Sequence, residues 1–433
     1  MKKNRKSETA NKLWKKTAAV ILTAAMCMTL LAGCGQETSQ TGNQTEKQTT
    51  RQTEVQTEKS ESQNVNETES QPDSQTESQT ENEMNSQTES QAKDQTKSAD
   101  SKDQAEGNVR KVTDAAGNVV EVPADITKIA VTPLPWSSVI YAIDGSSDRM
   151  VSINPGAMKA YTGNFFEKLD SHYGELDTSN IGKDFSVNME EMVKAGVQAV
   201  VIWDYQTDEA KQLSDLGIAP IMVKNETVEE LQNSFKAIGQ LLGKEDRAQE
   251  FIDLYGKTYD RIKSYQDKVS QAEKPKVLYL RNTELKLQGN DNFIKEALEL
   301  AGADNVAADI SDITMEEIIK INPDIILLSW FDDFVPGDLY ENQIDGQDWS
   351  NVNAVINKKV YKTPLGIYRW DAPGVETPLM MMWLATLIQP DIFSDIDMEQ
   401  EVKDYFSTYF QYTLTDEDMA QIMSDAANAD SVK

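Results

Sequence analysis

The sequence predicts an α/β protein of two lobes, each with a central, mostly parallel sheet flanked by helices, joined by one long rigid helix. Three observations predict it. One phrase occurs twice: Asn188 to Ile202 reads NMEEMVKAGVQAVVI and Thr314 to Leu328 reads TMEEIIKINPDIILL, and the two align without a gap. Each is a helix start, a short amphipathic helix, a turn and a buried strand, and an αβ phrase said twice points to two related lobes. Between the copies, Lys244 to Val269 carries Ala248, Phe251, Ile252, Tyr255, Tyr259, Ile262 and Val269 at three- and four-residue steps with no proline, an apolar stripe at helical period. On both sides of that stretch, strand-like runs alternate with helical ones. Short helix-to-strand units also resemble one another in any α/β chain, and that is the competing reading of the repeat.

Taken in order, the 433 residues separate into a leader, a polar run and a folded body. In the leader, Lys2, Lys3, Arg5, Lys6, Lys12, Lys15 and Lys16 precede the apolar run Thr17 to Leu31, and Leu31-Ala32-Gly33-Cys34 closes it. A basic start, a short apolar core and small residues before a break describe an export signal over 1–33. The run is shorter than the ~20 residues a membrane span needs. Leu31-Ala32-Gly33-Cys34 resembles a bacterial lipobox, which implies that Cys34 becomes the lipidated first residue of the mature chain. Cys27 lies in the leader, so maturation leaves Cys34 alone, with no internal disulfide, thiol catalysis or cysteine metal site.

From residue 34 to 108 the chain is Gln, Thr, Ser, Glu and Asn with almost no large apolar side chain. Such a segment cannot bury enough apolar area to offset its ordering entropy and is expected to act as a disordered tether, with a reach of roughly 45 to 50 Å. A glycosylated stalk is the alternative use of so many hydroxyls. The formal charge of −30 becomes about −36 once the seven bases and one acid of the leader are removed. An acidic chain without basic patches argues against nucleic acid as a partner. It also leaves membrane attachment to the acyl chains at Cys34.

The body is expected to comprise an N-terminal lobe over 109–243, the connecting helix over 244–270 and a C-terminal lobe over 271–433. Val109 to Val112 and Val119 to Val122 flank Asp114-Ala115-Ala116-Gly117-Asn118 as a hairpin. Ile129 to Val131, Met150 to Ile153 and Leu216 to Val223 supply further strands of the first lobe, with a helix near Trp136 to Ile143. In the second lobe Lys276 to Leu280, Ile325 to Ser329 and Lys359 to Thr363 are strands. Phe293 to Ala301, Glu376 to Leu387 and Met398 to Tyr409 are helices.

These pieces together resemble the solute-binding proteins of ABC importers for iron-siderophore complexes, haem and cobalamin. The resemblance rests on VTDAAGNVVEVPADITKIAV, the paired MEE phrases, GADNVAADISDITMEEIIKINPDIILL and KKVYKTP, in the family's order over most of Val109 to about Ile422. It implies a rigid helix between lobes, a ligand in the cleft they form, and a permease with its ATPase as partners. It also implies that one exposed glutamate per lobe, Glu190 and Glu316, docks on permease arginines. Two features depart from the pattern: Val197-Gln198 stands where Pro-Asp is usual, and the insert Ala157 to Gly182 is long.

The residues point to the same kind of site without the family. In open α/β sheets ligands gather at the carboxyl ends of the strands. The residues there are aromatic and basic: Trp136, Trp203 and Tyr205, Arg281, Trp330 and Phe331, and Tyr368, Arg369 and Trp370. Flat apolar rings with arginine forks suit a large anionic ligand such as a ferric chelate. Core packing is the competing role for each aromatic, and a salt bridge for each arginine. Met380, Met381 and Met382 read as helix core. Thr314 and Glu317 form a capping box, and Asn188 with Glu191 permits an analogous cap, leaving Glu190 and Glu316 facing outward.

Other functions fare poorly. Transition-metal capture wants several histidines or cysteines, whereas the body has one histidine, His172, which reads as a surface residue, so no metal site is assigned. No nucleophile–histidine–acid set, P-loop or GxGxxG stands at a strand-to-helix turn, so no catalytic residue and no cofactor is assigned. The expectation is a lipid-anchored, extracytoplasmic, monomeric receptor for a ferric siderophore. Haem, cobalamin or another metal chelate is the alternative ligand, and a surface ligand-sensing domain without transport the alternative role.

Overall fold

The computed structural model describes residues 109–432, which belong to one compact unit. The leader, Cys34 and the polar run to residue 108 lie outside the described residues. Alternating valines form β1 (Val109–Thr113) and β2 (Val119–Pro123), an antiparallel pair. Gly117 takes φ 85° in their turn, a left-handed conformation that a Cβ disfavours. The Asp114 carboxylate accepts the N–H groups of Ala116 and Asn118 at 3.0 and 2.8 Å and closes it.

The first lobe continues through β3 (Ile129–Val131), α1 (Trp136–Asp144), β4 (Met150–Ile153), α2 (Pro155–Tyr161), α3 (Met189–Ala195), β5 (Ala199–Trp203), α4 (Thr207–Asp215), β6 (Ala219–Val223) and α5 (Val228–Leu242). Two helices follow, α6 (Glu245–Lys263) and α7 (Gln266–Val269). The second lobe then supplies β7 (Lys276–Leu280), α8 (Asn292–Leu300), β8 (Asp304–Asn305), α9 (Met315–Ile321), β9 (Ile325–Leu328), α10 (Pro336–Tyr340), α11 (Asn353–Ile356) and β10 (Val360–Lys362). One sheet has the order β4-β3-β5-β6 and the other β10-β9-β7-β8, every neighbour parallel. Counted from its own first strand, each sheet runs second, first, third, fourth, so both lobes have one topology.

The repeated phrase is the structural repeat. Helices α3 and α9 both end on a left-handed residue, Gly196 (φ 70°) and Asn322 (φ 52°), each followed by the third strand of its sheet. Lys128 Nζ donates to the Ala195 carbonyl at 2.7 Å, and Lys276 Nζ to the Ile321 carbonyl at 3.0 Å. The Gln198 side chain accepts the Lys128 N–H at 3.0 Å, as Asp324 accepts the Lys276 N–H at 2.9 Å. Gln198, at the departure from the Pro-Asp pattern, therefore makes the contact that Asp324 makes in the other lobe. The caps differ: Thr314 and Glu317 exchange both bonds of a capping box, but Glu191 turns to Lys194 at 3.1 Å and leaves Asn188 to cap alone.

The connecting stretch is not one unbroken helix to Val269. At Ser264 the hydroxyl donates to the Arg261 carbonyl at 2.6 Å and the N–H is shared between the Asp260 and Arg261 carbonyls, so the ladder stops and restarts as α7. The chain ends in α12 (Thr377–Ile388), α13 (Met398–Phe410) and α14 (Asp416–Ile422). Helix α12 is buried nearly all round, with Met380, Met381 and Met382 in the core. Helices α13 and α14 return to the first lobe. Phe165 meets Phe406 at 5.0 Å and Tyr412 at 5.6 Å, Tyr141 stacks on Phe410 at 6.0 Å, and Lys168 pairs with Asp418 at 2.6 Å. Arg247 of α6 donates to the carbonyls of Ala142 and Tyr409 and lies over the Tyr409 ring. One apolar core consequently runs through both lobes, and a smaller cluster covers the other face of each sheet.

Phe406 is fully buried in that seam. Phe406→Ala is expected to cost about 3–5 kcal/mol, the usual penalty for emptying a buried ring site. Urea denaturation measures it, and a loss below about 1 kcal/mol would show that the seam contributes little.

Candidate ligand cleft

Parallel strands deliver their carboxyl ends to one side of each sheet, and a cavity of about 440 Å³ opens between the lobes there. From the first lobe come Leu134 after β3 and Gly156, Lys159, Ala160, Thr162 and Asn164 on and beyond α2. From the second come Trp330, Phe331 and Asp333 after β9, and Leu365, Tyr368 and Arg369 after β10. The long insert thus builds much of one wall. Its helix begins with Asn154 capping the Gly156 N–H at 2.9 Å and proline at the next position, a start signal that the sequence does carry. Lys159 pairs with Asp333 at 3.0 Å across the mouth.

Phe331 is held between two guanidinium groups. Arg281, after β7, lies 3.5 Å from the ring centroid and Arg369 lies 3.4 Å from it. Two like charges on one ring are tolerable only with anions near them. Arg369 is buried; burial works against its charge, but Asp371, then Tyr368 and Tyr279, outweigh it and raise its pKa. Its Nε faces Asp371 Oδ1 at 3.6 Å, too far for a hydrogen bond, while the other Asp371 oxygen accepts from Ser329. Arg281 makes no ion pair among the described residues; desolvation of its guanidinium first, and Arg369 second, lower its pKa against the pull of Asp371 and Asp291. The wall sets two guanidinium groups on the faces of one aromatic ring, donors for an anion with apolar area.

Of the sequence candidates, Trp330, Phe331, Tyr368 and Arg369 line the cavity and Arg281 stands beside it through Phe331. Trp136 does not: Pro133, Leu134 and Pro135 occupy the strand end, and Trp136, inside α1, is fully buried against Phe235 at 6.0 Å. Trp370 is likewise fully buried, turned inward to donate to Glu376 at 3.1 Å. Trp203 and Tyr205 stack at 6.3 Å in a separate depression of about 300 Å³ with Phe185, Lys224 and Glu226. The sheet order explains this, because β5 and β6 lie on the opposite side of β3 from β4, whose end supplies α2 to the cavity. Lys159, Asn164, Asp333 and Leu365 were not foreseen.

Glu190 and Glu316 are exposed at the second position of α3 and α9. His172 bonds to Glu175 at 3.3 Å. Among the described residues no group of His, Cys, Asp and Glu could hold a metal ion, and no helix is long and apolar enough to cross a membrane.

Residues 162–365 match the Periplasmic binding protein family. A periplasmic solute-binding protein from Veillonella parvula is 39% identical, with a TM-score of 0.71 over 74% of this chain and 99% of that one. The molybdate-binding protein MolA of Haemophilus influenzae is 24% identical over 330 residues, 70% of this chain and 91% of MolA. Its molybdate-bound structure aligns with a TM-score of 0.62 at 22% identity, over 71% and 99% of the two chains. Helicobacter pylori CeuE, solved as a nickel–histidine complex, shares the fold at 22% identity, with a TM-score of 0.57 over 73% and 99% of the two chains. With 39% identity to the Veillonella protein along almost its whole length, the chain belongs to the periplasmic solute-binding proteins that serve ABC importers.

Proposed function

We propose that this chain is a lipid-anchored receptor that captures an anionic metal chelate of the ferric-siderophore type between its lobes and passes it to an ABC permease and its ATPase. The observation that carries this reading is the Arg281–Phe331–Arg369 stack beside a cavity of about 440 Å³. Arginine forks suit carboxylate or catecholate oxygens, and Trp330, Phe331 and Tyr368 suit the flat organic frame around them. Haem or cobalamin would use the same surfaces. Anchoring through Cys34 and a monomeric, extracytoplasmic receptor complete the proposal, and the bound chelate leaves chemically unchanged.

A second reading takes a bare oxyanion as ligand, because MolA binds molybdate. The aromatic lining argues against it: a tetrahedral oxyanion would leave most of the cavity unfilled and would gain nothing from Trp330.

Titrating the chain with ferric catecholate chelates, haem, cobalamin and sodium molybdate, followed by tryptophan fluorescence, separates these readings. Saturable quenching by a ferric chelate is expected; binding of molybdate alone would replace the chelate with an oxyanion. The two arginines should divide cleanly. Arg281→Met is expected to weaken binding at least tenfold, about 1.4 kcal/mol, with stability changed by less than about 0.5 kcal/mol. Arg369→Met leaves Asp371 buried and uncompensated and should also cost about 3–5 kcal/mol of stability in urea. The double variant Glu190→Arg, Glu316→Arg should bind as before yet fail to support uptake in cells. Unimpaired uptake would favour the ligand-sensing role.

A further inference from the structure

We propose that Lys362 and Glu376 are positioning residues of the cleft: each is a buried ionisable side chain around which one ligand-facing turn is wound, so the charge on each sets the shape of the second-lobe wall. The proposal rests on the reading that ligand binds to Trp330, Phe331, Tyr368 and Arg369.

Lys362, on β10, is fully buried. Its ammonium donates to the carbonyls of Ser329, Asp332 and Phe334 at 2.8, 2.7 and 2.8 Å, and stands 4.6 Å from the Trp330 ring. All three N–H bonds are used on the turn that carries Trp330, Phe331 and Asp333. A neutral amine has only two to offer.

Glu376, just before α12, holds the other turn by the inverse arrangement. One oxygen accepts the Ile367 N–H at 3.2 Å and the Trp370 indole N–H at 3.1 Å, and the other accepts the Tyr368 N–H at 2.9 Å. That turn, closed by the Leu365–Arg369 bridge, carries Tyr368 and Arg369 to the cavity. It winds so closely that a Cβ at Gly366 would overlap the carboxylate. A protonated carboxyl has one acceptor position fewer and, being neutral, holds the remaining N–H groups more weakly.

The surroundings put both groups close to neutrality. Burial lowers Lys362 to about 8, against the opposing pull of Asp371, Asp332 and Asp333 and with a small push from Lys159. Burial raises Glu376 to about 7 despite the three bonds it accepts. Tyr405 of α13, bonded to the Val375 carbonyl at 3.0 Å, is the titratable group opposite it. On its own turn, Arg369 faces Phe331 and Asp371 faces Ser329. Acidification through 7 therefore neutralises Glu376 and frees the 367–370 turn, and alkalinisation through 8 neutralises Lys362 and frees the 329–334 turn.

Stability and binding then move in opposite directions. The folded chain holds the Glu376 proton more tightly than the unfolded one, whose carboxyl has its ordinary value of 4.5, so this group's contribution to stability falls as pH rises from 4.5 to 7. Affinity rises over the same interval. For Lys362 the folded chain holds its proton less tightly, so its contribution to stability rises between 8 and the ordinary 10.5 while affinity falls. A merely structural role would move both together.

The test has two readouts on the full chain. Of its seven tryptophans, labelled with ¹⁵N at the indole, Trp370 should shift with a midpoint near 7 and Trp330 with one near 8, without ligand. The first titration should vanish in Glu376→Gln and the second in Lys362→Met. The inert chromium(III) tris-catecholate complex should bind most tightly between pH 7 and 8, falling at least about fivefold, or 0.7 pK units, by pH 5.5 and by pH 9.5. Glu376→Gln should lose the acid-side dependence and keep the fall above pH 8, and Lys362→Met should lose the alkaline-side dependence and keep the fall below pH 7. Indoles that do not titrate, or an affinity flat with pH while they do, would overturn the proposal. Failure of the chromium complex to bind at any pH would instead overturn the chelate reading, and indole titration would still support the two turns.

Discussion

The apolar core that runs unbroken from the first lobe through α6 and α12 to Phe406 and Ile422 is the constraint on which the cleft depends. A two-lobed protein joined only by a hinge could close far around its ligand. Here the rings of Phe165, Tyr141, Phe406 and Phe410 join the lobes behind the cleft, and separating them would expose aromatic area worth several kcal/mol. On the proposed reading, a ligand would meet a surface largely formed in advance, with side-chain and turn adjustments in place of domain motion.

Preformed surfaces need rigid turns, and the second lobe obtains rigidity from buried charge. A lone buried lysine or glutamate is unfavourable unless every hydrogen-bonding position is filled. Lys362 fills its three positions with carbonyls and Glu376 accepts three N–H groups on its two oxygens, so each turn supplies most of what its charge requires. Breaking either turn would strand an ion in a low dielectric, which makes the turn conformation more specific than its short length alone would allow. Arg369 differs. Its long contact to Asp371 leaves the buried Nε without a hydrogen-bond acceptor, so this guanidinium is less firmly held than the other two charges.

Secondary structure was legible because its signals are local. The valine runs, the capping box at Thr314 and the apolar strands each depend on neighbours within a few residues. The break at Ser264 was not legible, since serine in a helix usually points to solvent. The cleft was half legible. Strand ends identify the right region of the fold, but which side chain at a strand end faces the cavity depends on the turn geometry after it. Trp136 and Trp370 turn inward because a proline pair and a buried glutamate redirect the chain. Trp203 and Tyr205 follow the strand-end rule and still miss the cavity, because sheet order is a non-local property that no single strand reveals.

The connection between β4 and α3 shows why a shared fold does not carry ligand identity with it. The strands, the repeat and the Gln198 and Asp324 contacts fix where a cleft must form, and such scaffolding tolerates extra chain at a strand end. Lys159, Ala160, Thr162 and Asn164 come from that connection and, with Leu134 and Gly156, form the first-lobe wall facing Trp330 and Arg369. The second-lobe wall brings charge and rings, while the insert sets how far the opposite wall stands from them. If the proposed chelate binds there, its size is limited by the connection from β4 to α3 and its charge is met by Arg281 and by Arg369, the latter on the turn held by Glu376.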